Sequence, residues 1–263
     1  MRLGLNTGYW SAGPPKGAVE SIQLADQLGF EHIWTAEAYG SDALTPLAWW
    51  GASTTNVKLG TAIMQMSART PAATAMACLT MDHLSGGRFI AGIGASGPQV
   101  VEGWYGQSYS RPLERTREFV NIMRQIFDRE DTVAFEGKHY QLPFPHGTGL
   151  GKPLKFMNRI ARPDIPIVIA SIGPSNVEMT AEIADGWQPI HFVPDRFDRV
   201  WGEALAAGNA KRSAGLGPLS IFGDAQLAIG EGEDVADARE GARGHVGFYV
   251  GGMGAKSKNY YND

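Results

Sequence analysis

At 263 residues and 43% hydrophobic content, the chain is long enough for one large α/β barrel or two smaller domains. A formal charge of -4 offers no basic face to nucleic acid, and no apolar run approaches the roughly 18 residues of a membrane helix, so the expected ligand is a small molecule. Cys78 is alone, which excludes a disulfide framework and a thiolate metal cluster. Met1 to Leu5 enters strand-like sequence with no leader pattern, so a cytoplasmic protein is expected.

Arg2 to Asn6 reads as a first strand. Pro15 to Leu28 reads as a helix with Ala18, Ile22, Ala25 and Leu28 on one face, closed by Gly29. A second strand covers His32 to Thr35, and Ser41 or Asp42 is placed to cap a helix reaching about Ser53. The third strand, Val57 to Ile63, leads into Met64, Gln65 and Met66. Pro71 then suits the first turn of a helix carrying Met76, Leu79 and Met81, which stops at Ser85-Gly86-Gly87.

Phe89 to Ile93 is a fourth strand, followed by the loop Gly94-Ala95-Ser96-Gly97-Pro98. A helix from Pro112 buries Phe119, Ile122, Met123 and Ile126. Thr132 to Leu142 alternates around Glu136-Gly137 with Val133, Phe135, Tyr140 and Leu142 apolar, the pattern of an inserted hairpin. Pro143 to Arg162, rich in Gly and Pro, is expected as a loop over the barrel mouth, so that the insertion covers about 130-162.

Ile165 to Ala170 is a fifth strand, Ser175 a helix cap, and Trp187 to Phe192 a sixth strand. A helix over Asp195 to Ala207 precedes a seventh strand at Gln226 to Gly230 and a helix from about Asp234 into Gly251-Gly252-Met253-Gly254. Seven strands alternating with helices are the pattern of βα units on a parallel sheet. No eighth strand precedes the ending Tyr260-Tyr261-Asn262-Asp263, so the expectation is one barrel domain over 1-263, open or incomplete at its C-terminal side.

Gly92-Ile93-Gly94-Ala95-Ser96-Gly97 fits the letter of a dinucleotide fingerprint, but three βα units precede it where such a fingerprint normally opens the fold. Asp82-His83-Leu84-Ser85-Gly86-Gly87-Arg88 looks catalytic, yet it joins a helix to the next strand and so belongs at the bottom of a barrel, where such turns serve stability. Glu37 follows the second strand and points to the mouth. Apolar neighbours there would raise its pKa and make it a proton donor or a ligand-orienting acceptor; alternatively the helix start at Ser41 to Ala43 satisfies it.

The histidines lack metal-ligand spacing, and His191 near the end of the sixth strand is the one worth testing. Lys152, Lys155, Arg159 and Arg162 suit either an anionic cofactor tail or a solvated basic loop.

The motifs Ile33-Trp34-Thr35-Ala36-Glu37-Ala38, Leu59-Gly60-Thr61-Ala62-Ile63-Met64, Leu84-Ser85-Gly86-Gly87-Arg88, Ser96-Gly97-Pro98-Gln99-Val100, Gly149 to Lys155, Ala170-Ser171-Ile172-Gly173-Pro174 and Ala184-Asp185-Gly186-Trp187 are each weak singly. In this order and spacing the chain resembles the luciferase-like TIM-barrel superfamily, and within it the deazaflavin oxidoreductases that use coenzyme F420. The resemblance implies a (β/α)8 barrel lacking strand eight, a homodimer, and hydride transfer to a small organic substrate. It also implies a non-prolyl cis peptide at Ala62-Ile63 whose bulge backs the deazaflavin ring.

By the same match Thr61, Ala62, Ile63, Met64 and Gln65, the loop of Gly94, Ala95, Ser96 and Gly97, and the turn of Ile172, Gly173 and Ser175 would hold the cofactor. Asn6, Lys152, Lys155 and His191 would face the substrate or the cofactor tail. Some relatives carry a histidine where this chain has Ala38, a departure that favours reduction of an activated C=C, C=N or nitro-aromatic group. An FMN-dependent monooxygenase of the same superfamily and a non-catalytic barrel binding a flavin-like ligand are the alternatives.

Overall fold

The computed structural model describes residues 2–10, 12–227 and 229–253. Gly254 and the Tyr260-Tyr261-Asn262-Asp263 ending lie outside the described residues. The elements run β1 (Gly4–Asn6), α1 (Ala18–Gln27), β2 (His32–Thr35), α2 (Leu44–Gly51), β3 (Lys58–Thr61), β4 (Met64–Gln65), α3 (Pro71–Ser85) and β5 (Phe89–Gly94). They continue with α4 (Pro98–Val101), α5 (Pro112–Asp128), the hairpin β6 (Phe135–Glu136) and β7 (Gln141–Leu142), β8 (Ile167–Ala170), α6 (Pro174–Ile183), β9 (Gly186–Gln188), α7 (Phe197–Lys211), β10 (Ser220–Ile221) and α8 (Glu233–Gly247).

The main sheet is parallel, in the order β1-β2-β3-β5-β8-β9-β10, with β4 paired to β5. It curls: Phe222, just after β10, packs edge-on against Trp34 of β2, with ring centroids 5.1 Å apart, and against His32 at 5.2 Å. The sheet is therefore a barrel open between β1 and β10, and no strand fills that gap among the described residues.

Alternation along the strands divides the core in two. On the outer face Ile33, Leu59, Phe89 and Ile93 meet Ala75, Cys78 and Leu79 of α3 and Phe119, Ile122 and Met123 of α5, all essentially buried. Each such large side chain contributes about 1.5–3 kcal/mol relative to exposure. On the inner face Trp34, Ile90 and Val168 form a separate cluster with Ala62 and Phe222. Gly60 makes room for the indole, since a Cβ on Gly60 would lie 2.3 Å from Trp34 Cζ3.

Local chemistry explains most element ends. Thr70 Oγ1 accepts the Ala73 N–H, Pro71 takes the first helical position of α3, and Gly86 closes that helix at φ 67. Asp42 Oδ1 accepts the Thr45 N–H at 2.8 Å at the start of α2. Leu28 differs from expectation: it is 67% exposed, because α1 ends at Gln27 and Gly29 turns the chain at φ 78. Met76 likewise faces outward, and Ala75 and Cys78 take its place in the core.

Three further expectations are corrected. The seventh strand is Ser220–Ile221, with Ser220 N–H on Asp185 O and Phe222 N–H on Trp187 O. Among the described residues of 226–230 no strand forms, and Leu227 and Ile229 are exposed. The sixth strand stops at Gln188, because the chain breaks from extended geometry and reaches φ 52 at His191. The 143–162 segment is not a mouth cover: it is tethered at the far end of α5, where Arg129 Nε donates to Phe156 O, Lys155 Nζ donates to Glu130 O, and Leu154 bridges Val133.

The Asp82 to Arg88 turn is structural, as its position at the barrel bottom predicts. Arg162 holds the buried Asp82 carboxylate at 2.8 Å, and Arg88 donates to Val57 O, Thr54 O and Ser85 O.

His32 faces inward between Trp34 and Phe222, and burial lowers its pKa from 6.5 to about 4, outweighing the opposing pull of Glu31 at 3.8 Å. The imidazole is therefore neutral at pH 7, and its contact with Glu31 is not an ion pair there. Because the unfolded chain takes up this proton first, stability is complete above pH 6.5 and is lost as pH falls toward about 4, by about 3 kcal/mol for a shift of this size. His32→Phe is expected to cancel that share of the acid sensitivity. Urea midpoints of wild type and variant at pH 7.5 and 4.5 check it, and an unchanged difference between the two would refute it.

Candidate functional site

Because the strands are parallel, their carboxyl ends share one rim, where a βα barrel carries its chemistry. Asn6, Glu37, the Ala62-Ile63 bond, Gly94, Ile172 and His191 all lie on or just beyond strand carboxyl ends. The rim thus gathers residues drawn from six separate segments of the chain.

The third strand is interrupted there. Ala62-Ile63 is a cis peptide, as expected, and it divides β3 from β4. The bulge brings the Thr61 carbonyl over β5, where a Cβ on Gly92 would sit 1.6 Å from that oxygen. Thr61 Oγ1 donates to Gly92 O at 2.7 Å and accepts the Gly92 N–H at 2.9 Å, so the Thr61 side chain locks the bulge to β5. Ile63 leans over Gly94, whose Cβ would lie 2.8 Å from Ile63 Cδ1. The first two fingerprint glycines are therefore explained by close strand packing, not by a dinucleotide.

Met64 points into the outer core at 1% exposure and cannot line the mouth. Ala62 and Ile63 are half-buried. Gln65 is 4% exposed: its backbone N–H donates to Glu37 Oε1 and its Nε2 to Glu37 O, while its Oε1 has no hydrogen-bond partner. Leaving such a buried acceptor unmatched costs about 1–3 kcal/mol. A ring edge carrying an N–H would satisfy it.

Glu37 is not in the apolar setting expected of it. Its carboxylate, 4% exposed, receives Arg69 Nη1 at 2.8 and 3.1 Å, the Ala43 N–H at 3.1 Å and the Gln65 N–H. Every contact is an N–H donor, so Glu37 acts as an acceptor that ties the loop after β2 to the connection between β3 and α3. Arg69 escaped the sequence reading, although a cation in the loop after the third strand is the natural partner for a carboxylate after the second. Tyr105 was missed as well: its hydroxyl donates to Ala38 O, and burial and the Glu37 charge raise its pKa. Glu37, Arg69, Tyr39, Trp104 and Tyr105 line a cleft of about 280 Å³.

Along the rim, Ala95, Ser96 and Gly97 are half-buried. Ser96 takes a left-handed conformation, φ 58, held by Tyr109 Oη donating to Ser96 O. Gly173, not Ser175, caps α6: Gly173 O accepts the Asn176 and Val177 N–H groups, and Pro174 takes the first helical position. Ser175 is exposed one position further on, and Ile172 O accepts from Trp201 Nε1.

On the other side of the rim, Asn6 Oδ1 accepts the Gly8 N–H, and Asn6, Trp34 and Gln188 line a barrel cavity of about 580 Å³ that extends down to Arg2, Lys58 and Arg88 at the strand amino ends. His191 lies beside His245 and Tyr249. Lys152 and Lys155 are exposed in the segment tethered to the far end of α5, and Arg162 is committed to Asp82, so the structure separates this basic loop from the rim. Among the described residues no cluster of histidine, cysteine, aspartate or glutamate could hold a metal ion, and no helix is long and apolar enough to cross a membrane.

A family profile described as "Luciferase-like monooxygenase" matches residues 3–262. A Mycobacterium tuberculosis protein named "Putative coenzyme F420-dependent oxidoreductase Rv3520c" is 50% identical over 267 residues, covering 100% of this chain and 76% of that protein. The 5,10-methylenetetrahydromethanopterin reductase of Archaeoglobus fulgidus is 32% identical over 236 residues, covering 88% of this chain and 65% of the reductase. Among solved structures, the coenzyme F420 dependent tetrahydromethanopterin reductase from Methanopyrus kandleri has a TM-score of 0.76 at 24% identity, over 95% of this chain and 72% of that one. That likeness identifies the fold, an open version of the luciferase-like barrel. With a profile matched over nearly its whole length, the chain belongs to the luciferase-like monooxygenase family.

Proposed function

We propose that the protein is an oxidoreductase that uses coenzyme F420 to reduce a small organic substrate carrying an activated C=C, C=N or nitro-aromatic group. The names of its relatives support the cofactor. The observation that carries the reading is the rim beside Ala62 and Gly94: small side chains and a glycine, next to a buried Gln65 Oε1 with no partner. A flat heteroaromatic ring with a polar edge meets both conditions.

Ala62, Ile63 and Gly94 would back such a ring, and Gln65, held by Glu37, would meet its polar edge. When bound, a reduced deazaflavin supplies a hydride. This chain orients the reactants: Glu37 and Arg69 fix the Gln65 loop, and Ser96 and Gly173 shape the flanking turns. The Glu37 carboxylate serves here as a positioning group, since all its contacts are with N–H donors.

The family description favours one rival, an FMN-dependent monooxygenase. Fluorescence titrations with F420 and with FMN decide between them, together with oxygen uptake in the presence of reduced FMN. Ala62→Phe places a ring on the floor of the pocket. It is expected to weaken F420 binding at least about 100-fold, roughly 2.7 kcal/mol at 25 °C. Unchanged affinity would place the ring elsewhere, and oxygen uptake would establish the rival.

A further inference from the structure

Four titratable side chains from three distant segments meet at the side of the rim away from the Ala62-Ile63 bulge. Tyr9 follows β1, His191 follows β9, and His245 and Tyr249 belong to α8 and the turn after it. The Tyr9 and Tyr249 hydroxyls are hydrogen-bonded at 3.1 Å. The Tyr249 ring lies 5.3 Å from His191 and 5.0 Å from His245, and the two imidazoles are 5.8 Å apart.

The order of contact is directional. Tyr9 is the accessible end at 42% exposure, Tyr249 behind it is 6% exposed, and the half-buried histidines lie beyond. His191 is held in a left-handed conformation that only a few per cent of non-glycine residues adopt, which turns its ring toward this group. α8 has no buried residue of its own, whereas Tyr249 in the turn after it is buried against Tyr9 and His191. Asn6 and Gln188, which end the β1 and β9 strands that Tyr9 and His191 follow, line the barrel cavity, and Gln188 Oε1 is buried without a hydrogen-bond partner.

We propose that Tyr9 and Tyr249, backed by His191 and His245, form a proton relay that serves a substrate heteroatom on the β9–β1 side of the mouth. The proposal rests on the reading of the protein as a deazaflavin-dependent reductase and narrows its substrate to the C=N class. As hydride reaches the substrate carbon, the π pair of the C=N bond moves onto the nitrogen, which takes the Tyr9 proton. Tyr249 reprotonates Tyr9, and an imidazole of His191 or His245 passes its N–H proton to Tyr249 while its other nitrogen takes one from solvent. Burial raises the Tyr9 pKa, its Tyr249 hydrogen bond pulls the other way and Tyr39 adds to the rise, so the phenol keeps its proton until the negative charge developing on the substrate nitrogen draws it off. Asp224 is the carboxylate acting on His191, where it opposes the lowering caused by burial and by His245.

The test pairs kinetics with a measurement that needs no cofactor. Tyr9→Phe and Tyr249→Phe should each lower kcat on an imine at least about 100-fold, the usual worth of a general acid, with KM changed less than about threefold. The double variant should be no slower than the slower single one, because the two groups act in series. In cofactor-free protein, the 13Cζ resonance of Tyr9 should titrate at higher pH in Tyr249→Phe than in wild type.

Wild-type kcat in Tyr9→Phe would overturn the relay, as would an unmoved Tyr9 titration in a folded Tyr249→Phe. If wild type fails to bind F420, the reading of the function fails, while the tyrosine titration still judges the coupling by itself.

Discussion

Gly92→Ala is expected to destabilise the protein by about 3 kcal/mol or more, beyond the usual 1–3 kcal/mol of an overpacked core. The new Cβ would sit 1.6 Å from the Thr61 carbonyl oxygen. That atom is backbone, so no rotamer change relieves the clash. Relief requires β3 and β5 to separate, and their separation breaks both bonds between Thr61 Oγ1 and Gly92. The bulge behind the proposed ring site would move with them, so F420 affinity should fall together with stability.

Gly241→Ala is the control. Gly241 lies in the interior of α8, where an added Cβ meets nothing within 4 Å, and alanine there is expected to gain up to about 1 kcal/mol of helix propensity. Urea unfolding of both variants checks the contrast. A Gly92→Ala protein with wild-type stability would show that the two strands are not in the contact described.

The same contact shows what the sequence could and could not convey. Strand composition and periodicity foretold the parallel barrel, because Phe89 to Ile93 and Ile165 to Ala170 have no reading other than buried strand, and Pro71 and Gly86 mark helix ends by covalent constraint. The family resemblance placed the cis bond at Ala62-Ile63. Gly92, however, carries only the spacing of a fingerprint glycine in the sequence, and its packing role shows once the Thr61 carbonyl is seen above it.

Tertiary tethers were illegible for the same reason. The glycines and prolines of 143–162 announce a loop, but the side of the barrel it covers depends on Arg129, Glu130 and Val133. Gln226 to Gly230 carries the alternation of a strand, yet the pairing surface of β9 is taken by Ser220–Ile221, because Phe222 can then fill the inner layer against Trp34. The rim residues gathered at greatest sequence distance, Tyr9 and Tyr249, had no local signature at all.

Arg69→Ala is expected to cost about 3–5 kcal/mol, the penalty for stranding one partner of a buried ion pair. Glu37 is 4% exposed, and Arg69 Nη1 provides both of its charged contacts; two backbone N–H groups would remain to hold it. The effect should not stop at stability, because Glu37 also receives the Gln65 N–H and positions the side chain proposed to meet the cofactor ring.

A variant that relaxes this network is therefore expected to lose F420 affinity even where enough folded protein remains to measure it. Arg69→Ala/Glu37→Ala separates the two effects. Removing both charges restores most of the stability, since no buried carboxylate is left unpaired, but it does not rebuild the anchor of the Gln65 loop. Thermal unfolding should accordingly rank wild type above the double variant and the double variant above Arg69→Ala, while F420 titration should place both variants well below wild type. If affinity instead recovered with stability in the double variant, Glu37 would be a folding element alone, and Gln65 would need another support.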